Sequence, residues 1–369
     1  MYVSNNSYHD KNISIFAPDF SFIGHSITNL AKFQAAYFKS KYSINLKENL
    51  TNKTHHKREI NFYHLGNSPH NIEVLDHFVN SKSAQNVVII HDTNLTDLIK
   101  FAVNKNGLKG YKAIFKSQDP SLIRRVLKDS QTLDPVTKNS FFIDAMLKAN
   151  LKNTNLIIHN SNNLVTSEKV IGSTLSQIQL PIGFHFMRLL DLNVTNPIPL
   201  IVIGGSGRDN YFFENIKLVI QELSSERELR VIILGNMYKN SIDTLNEMPN
   251  VSIFKNVNNE NWQVILSRAD ISMRIAVGRN GESSGFLRDS VFLSKRVLGD
   301  EDSPALRNFS NYTFLDKDLD IKNISQKISE LLENNHQQDT EQVSIKKTET
   351  AQSSLNRYFN SLNEFVENL

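Results

Sequence analysis

Residues 269–302 read ADISMRIAVGRNGESSGFLRDSVFLSKRVLGDED, and the spacing of apolar residues changes character twice along them. Ile271 to Ile275 is an apolar run of strand length with Arg274 inside it. A polar loop leads to Gly281-Glu282-Ser283-Ser284-Gly285, and Phe286, Leu287, Val291 and Phe292 follow at helical spacing. Arg296 to Leu298 reads as a second short strand. Strand, loop, helix and strand in that order predict an α/β fold. They also predict an anion site, because the first amides of a helix are unpaired and carry the positive end of its dipole. Ser283, Ser284 and Gly285 are small enough to let a phosphate reach the backbone, and Glu282 can accept hydrogen bonds from sugar hydroxyls.

This run resembles the donor-site segment of retaining glycosyltransferases with the GT-B fold, particularly glycosyltransferase family 4. There an arginine ends a strand, and a loop leads into Gly-Glu-Ser/Thr-Ser-Gly and a helix. The resemblance implies two Rossmann-like, doubly wound domains facing a cleft, with a C-terminal helix crossing back to the first domain. It also implies that Arg274, Glu282 and the amides of Ser283, Ser284 and Gly285 hold a nucleotide-sugar. Many members carry a second glutamate eight positions after the first, gripping the ribose; Ser290 stands at that donor position here.

A chain of 369 residues is long enough for two domains with sizeable cores. Apolar runs fall short of the roughly 20 residues that span a bilayer, and the first 30 residues lack a signal-peptide pattern. The absence of cysteine excludes disulfides, thiolate metal sites and a cysteine nucleophile, and a cytoplasmic protein is the simplest expectation. The net charge of +3 hides an asymmetry. Residues 1–195 hold 22 Lys+Arg against 14 Asp+Glu, or +8, while the remainder holds 19 against 24, or −5. A basic first half could serve an anionic acceptor or the inner face of a membrane.

In chain order, Asn12 to Ala17 is the first expected strand, and Gly24 precedes a helix from about Ser26 to Ser40. One glycine is not a dinucleotide fingerprint, but the resemblance makes Gly24 a donor-side contact. Strands Ile60–His64 and Val87–Ile90 each run into a polar cluster, Leu65-Gly66-Asn67 and His91-Asp92. In doubly wound sheets such clusters lie on the ligand-binding rim. Several family 4 transferases carry Tyr-His-Leu-Gly-Asn and His-Asp at these places. The match implies His91 beside the donor sugar and His64, Asn67 and Asp92 on the acceptor side. Residues 94–151 carry the most basic helical stretch, and Asn155–His159 is a further strand. Ser161–Ile171 reads as a helix, and two prolines near residues 192–199 mark the linker.

The second domain opens with Leu200–Ile203 and Gly204-Gly205-Ser206-Gly207-Arg208, then a helix from about Glu214. The family places an arginine and, six residues on, a lysine here to neutralise the donor diphosphate. Gly205 and Arg208 fit that pattern; Glu214 occupies the lysine position. Either Arg274 or Lys217 could supply the missing charge. Asp300-Glu301-Asp302 resembles a metal-binding acidic run, yet no paired-carboxylate or histidine cluster is evident, so neither metal nor cofactor is expected. Residues 334–349 read as polar and mobile, and 350–369 as a one-faced helix.

The expected organisation is an acceptor-side domain at 1–194, a donor domain at 195–349 and a crossover helix at 350–369. The expected function is metal-independent, retaining transfer from a nucleotide-sugar to a glycan, lipid-linked or protein acceptor. Glu282, His91 and Arg208 are the candidate catalytic residues. The alternatives are a catalytically impaired GT-B subunit that stabilises an active partner and, less well supported, a nucleotide-sugar epimerase. A protein partner or homo-oligomer is compatible with either of the first two readings, and no nucleic-acid motif is present.

Overall fold

The computed structural model describes residues 11–18, 26–47, 59–81, 85–129, 132–149, 151–159, 175–178, 180, 196–204, 210–235, 239–274, 284–301, 304–316, 320–333 and 340–369. The chain divides into two compact units. The first holds Met1–Leu180 and Arg357–Leu369, the second Pro181–Gly278 and Ser284–Asn356.

The first unit runs β1 (Asn12–Phe16), α1 (Ser26–Phe38), β2 (Ser43–Lys47), β3 (Glu59–Leu65), α2 (Ile72–Val79), β4 (Gln85–Ile90), α3 (Thr96–Asn106), α4 (Lys112–Phe115), α5 (Pro120–Asp129), α6 (Pro135–Ala149), β5 (Thr154–His159) and β6 (Leu175–Ile178). Its strands pair in parallel in the order β2-β1-β3-β4-β5-β6. β3, NFYHL behind Glu59 and Ile60, is buried at every position, and so is β5. Strands covered by helices on both faces lose the alternation of a half-exposed strand and become continuous apolar runs. That is why these two were readable from the sequence. The order reverses between β1 and β3, which puts the ligand crevice of a doubly wound sheet beyond their carboxyl ends.

The second unit runs β7 (Leu200–Gly204), α7 (Asn210–Glu226), β8 (Arg230–Leu234), α8 (Lys239–Asn246), β9 (Val251–Phe254), α9 (Asn259–Arg268), β10 (Ile271–Arg274), α10 (Gly285–Leu293), β11 (Val297–Gly299), α11 (Pro304–Arg307), β12 (Tyr312–Phe314), α12 (Ile321–Glu333) and α13 (Thr340–Glu367). Its parallel sheet has the order β12-β11-β10-β7-β8-β9, and the reversal lies between β7 and β10. α7 starts at Asn210, so Glu214 lies inside the helix rather than at its start. Residues 340–349 are also helical, where a mobile segment was expected. The residues there include Glu341, Gln342, Lys346 and Lys347, all good helix formers, and a polar stretch with such propensities joins a helix anchored further on. The last turns of α13 belong to the first unit: Tyr37 stacks on Phe359 at 4.8 Å, and the Tyr42 hydroxyl donates to Asn363 Oδ1 at 3.0 Å. The expected crossing-back of the final helix is therefore present.

Two glycines set how closely α10 lies on its sheet. A Cβ at Gly204, the end of β7, would stand 2.0 Å from the Phe286 ring. One at Gly299, the end of β11, would stand 2.7 Å from both Leu287 methyls. Gly204→Ala is therefore an overpacking substitution and should cost about 1–3 kcal/mol of stability, read as a lower urea midpoint. Phe286→Leu in the same chain should recover part of the loss, and strict additivity of the two changes would disprove the contact.

Candidate functional site

In the second unit the crevice between β7 and β10 is flanked by Gly204 and Arg274, the residues at which those two strands end. Arg274 is 6 % exposed and reaches Asp300 Oδ1 at 3.4 Å. Arg274 pairs with Gly299 in the β10–β11 register, so Asp300 is the next residue past the sheet. Ser284 caps α10, its hydroxyl accepting from Leu287 N at 3.2 Å. The Ser284 amide itself donates to Glu301 Oε2 at 2.8 Å. The other oxygen of Glu301 takes a 2.7 Å contact from Arg288, which is wholly buried. The acidic run thus answers two arginines and a helix N-terminus. Among the described residues no group of three or more His, Asp or Glu is placed to hold a metal ion.

Burial pushes the Glu301 carboxyl above the usual range, and the nearby Arg288 charge works against that rise. A carboxylate at a helix N-terminus is what the dipole favours, and here the protein supplies one from its own chain. Ser290 is fully buried on α10, and its Oγ finds no partner among the described residues. Gly285 begins the helix. Gly24, Gly205, Arg208, Glu282 and Ser283 lie outside the described residues.

In the first unit, β3, β4 and β5 deliver three histidines to neighbouring positions. His64 is in β3, His91 directly follows β4 with its amide on Leu65 O at 2.9 Å, and His159 ends β5. They form one buried chain of hydrogen bonds. Gln34 Oε1 on α1 meets His64 Nε2 at 2.8 Å, and His64 Nδ1 meets His91 Nε2 at 2.9 Å. His91 Nδ1 meets His159 Nδ1 at 3.0 Å, and His159 Nε2 meets the Tyr358 hydroxyl at 3.1 Å. Each contact needs one donor and one acceptor, so with the glutamine oxygen at one end every proton has one place. His64 and His91 carry it on Nε2, His159 on Nδ1, and Tyr358 donates. Burial holds His64 down at about 3 and raises the Tyr358 phenol, so both of these groups stay uncharged near pH 7.

His91 is 6 % exposed and both its ring nitrogens face other histidines. His64 is fully enclosed. Asn67 is a staple of the rim: its amide donates to Asp92 Oδ2 at 2.7 Å, its Nδ2 to Asp97 Oδ2 at 3.1 Å, and its Oδ1 accepts from Leu98 N at 2.9 Å. Asp92, half-buried, fixes the turn after β3 through that bond. Gln34, His159, Tyr358 and Arg288 were not singled out in the sequence. A signal was present for one of them, since NFYHL, VVIIH and NLIIH are three apolar strands ending at or near histidine.

No family model and no curated protein matches the sequence. Solved structures do match it, over nearly its whole length. Sucrose-phosphate synthase from Thermosynechococcus elongatus aligns at a TM-score of 0.60 with 10% identity, covering 97% of this chain and 98% of that one. An α-glucosyltransferase solved with UDP-glucose and DNA containing an abasic site aligns at 0.55 with 12% identity over 96% and 99%. WaaG, a glycosyltransferase of lipopolysaccharide biosynthesis, aligns at 0.50 with 12% identity over 94% and 95%. The fold is GT-B. In this GT-B chain no described helix is long and apolar enough to cross a membrane.

His64 makes stability depend on pH with a definite sign. His64 is depressed from 6.5 to about 3 on folding, so the unfolded chain binds the extra proton. Its contribution is complete above about pH 6.5 and is lost as pH falls toward 3. Between pH 6.5 and 5 the loss should reach about 2 kcal/mol. Urea unfolding of wild type and His64→Gln across that range tests it: the variant should show a flatter dependence, and equal slopes would remove His64 as the cause.

Proposed function

We propose that the protein transfers a sugar from a nucleotide-sugar to an acceptor, with retention of configuration and without a metal ion. The observation that carries this reading is Arg274 and the α10 N-terminus beside the strand-order reversal of the second sheet. That is where doubly wound sheets bind nucleotides, and the similar α-glucosyltransferase was solved with UDP-glucose. Arg208 and Arg274 would neutralise the donor diphosphate, the Ser283–Gly285 backbone would lie along it, and Glu282 would meet the sugar hydroxyls. Stabilising the departing phosphate is the larger part of such catalysis, and arginine suits it through bidentate charge-assisted contacts. No protein nucleophile is assigned. The family 4 resemblance extends the reading to a glycan, lipid-linked or protein acceptor.

A second reading draws on the carboxylate of Glu301. It takes the Ser284 amide, one of the groups a phosphate would use, while Asp300 faces Arg274. A GT-B subunit that has lost turnover and serves an active partner would tolerate that occupancy. Donor chemistry separates the two. UDP-, GDP- and dTDP-sugars should each be screened for a rise in melting temperature and for hydrolysis or transfer, with and without EDTA. A transferase should turn over one of them equally well with the chelator. Glu282→Gln should then cost about 2–4 kcal/mol in kcat/KM with folding unchanged. Arg208→Ala should weaken donor binding at least tenfold, about 1.4 kcal/mol. Binding without turnover by wild type favours the partner subunit, and absence of binding to any donor overturns both.

A further inference from the structure

Away from the strand ends, the first unit carries a cluster of exposed lysines and arginines with apolar side chains standing among them. Between Asp97 and Asp119 the sequence holds five lysines and no acidic residue. Lys105, Lys109, Lys112 and Lys116 are exposed there. On α5, Arg124, Arg125 and Lys128 are exposed as well, at the spacing of one helix face. None of these seven cations has an ion-pair partner among the described residues. Phe101 and Leu108, each 42% exposed, stand among them.

These apolar side chains are not core residues left slightly open. α3 already buries Leu98, Ile99 and Ala102, and α5 buries Ile123 and Val126, in one shared core cluster. α3 also packs directly against α5 and against the turn of residues 108–111, so the outward faces of the two helices are neighbours. Phe101 and Lys105 are four residues apart on α3, one above the other. Leu108 and Lys109 follow at the turn that Gly107 makes with a φ of 75°.

We propose that this surface docks the protein on an anionic lipid bilayer. Lysines would meet lipid headgroups while Phe101 and Leu108 enter the headgroup–acyl boundary. A nucleic acid would satisfy the cations equally, but an aliphatic side chain such as Leu108 gains nothing against phosphates or groove edges. At a bilayer it gains hydrophobic burial. Lysine suits this place because its alkyl stem can lie along acyl chains while the ammonium stays in the headgroups. The proposal is independent of the transferase reading, since it needs neither donor nor turnover.

The test is co-sedimentation of the full chain with vesicles of phosphatidylcholine, with and without phosphatidylglycerol, in the absence of any sugar nucleotide. Binding should require the anionic lipid and weaken as salt rises. Each lysine near such a surface is worth roughly fivefold, the equivalent of about 1 kcal/mol. K105E/K109E/K112E should therefore lose at least tenfold in affinity for the anionic vesicles with an unchanged melting temperature. F101S/L108S should lose severalfold on the same vesicles. F101W adds a reading that does not depend on affinity: its emission should shift to the blue on anionic vesicles, over a Trp262 background common to both chains. Equal binding to neutral vesicles, wild-type affinity in the charge variant, or an unshifted F101W spectrum overturns the proposal. So does tighter binding to duplex DNA than to vesicles, which would assign the patch to nucleic acid.

Discussion

A helix with every residue from Phe286 to Leu293 buried is the constraint around which the second unit is arranged. It can lie this close only because Gly204 and Gly299 offer no Cβ where Phe286 and Leu287 sit. Burial on all sides then forces its polar residues to be answered from within the protein, because an uncompensated buried charge costs several kcal/mol. Arg288 is met by Glu301, and Asp289 accepts from the Trp262 indole at 3.2 Å. The Tyr312 hydroxyl donates to the Glu301 backbone carbonyl at 2.8 Å and so holds the loop that carries the carboxylate. Sheet ends, helix start and acidic run are in this way one structure.

The first unit answers a similar problem with neutral groups. Three imidazoles at the ends of adjacent strands hydrogen-bond one another, and burial holds the wholly enclosed His64 uncharged. Burial disfavours the charged form in both places: it raises the Glu301 carboxyl against the pull of Arg288, and it lowers His64.

Much of the fold was legible because parallel strands buried on both faces leave apolar runs such as VIIL and NLIIH, and the glycines marked their ends. The helix of 285–293 was legible from its spacing and its serine cap. What was not legible depended on partners far apart in sequence. Asp300-Glu301 resembled a metal ligand set because a run of carboxylates looks alike whether it faces a cation or two arginines, and Arg288 gave no hint of being enclosed. For His91, only the fold reveals that His64 and His159 flank it. The three hydrogen bonds by which Asn67 holds the rim together were equally hidden.

The contact between His159 and Tyr358 spans 199 positions of chain. During synthesis the strand carrying His159 is complete long before its partner exists, and the whole second unit is made in between. At about 5–20 residues per second that interval is about 10–40 s. For that time the apolar and imidazole surface later covered by Tyr358, Phe359, Leu362 and Val366 is open to water, to chaperones and to other nascent chains. The first unit thus begins first and is finished last, and a ribosome that stalls within the second unit would release a first unit without its seal.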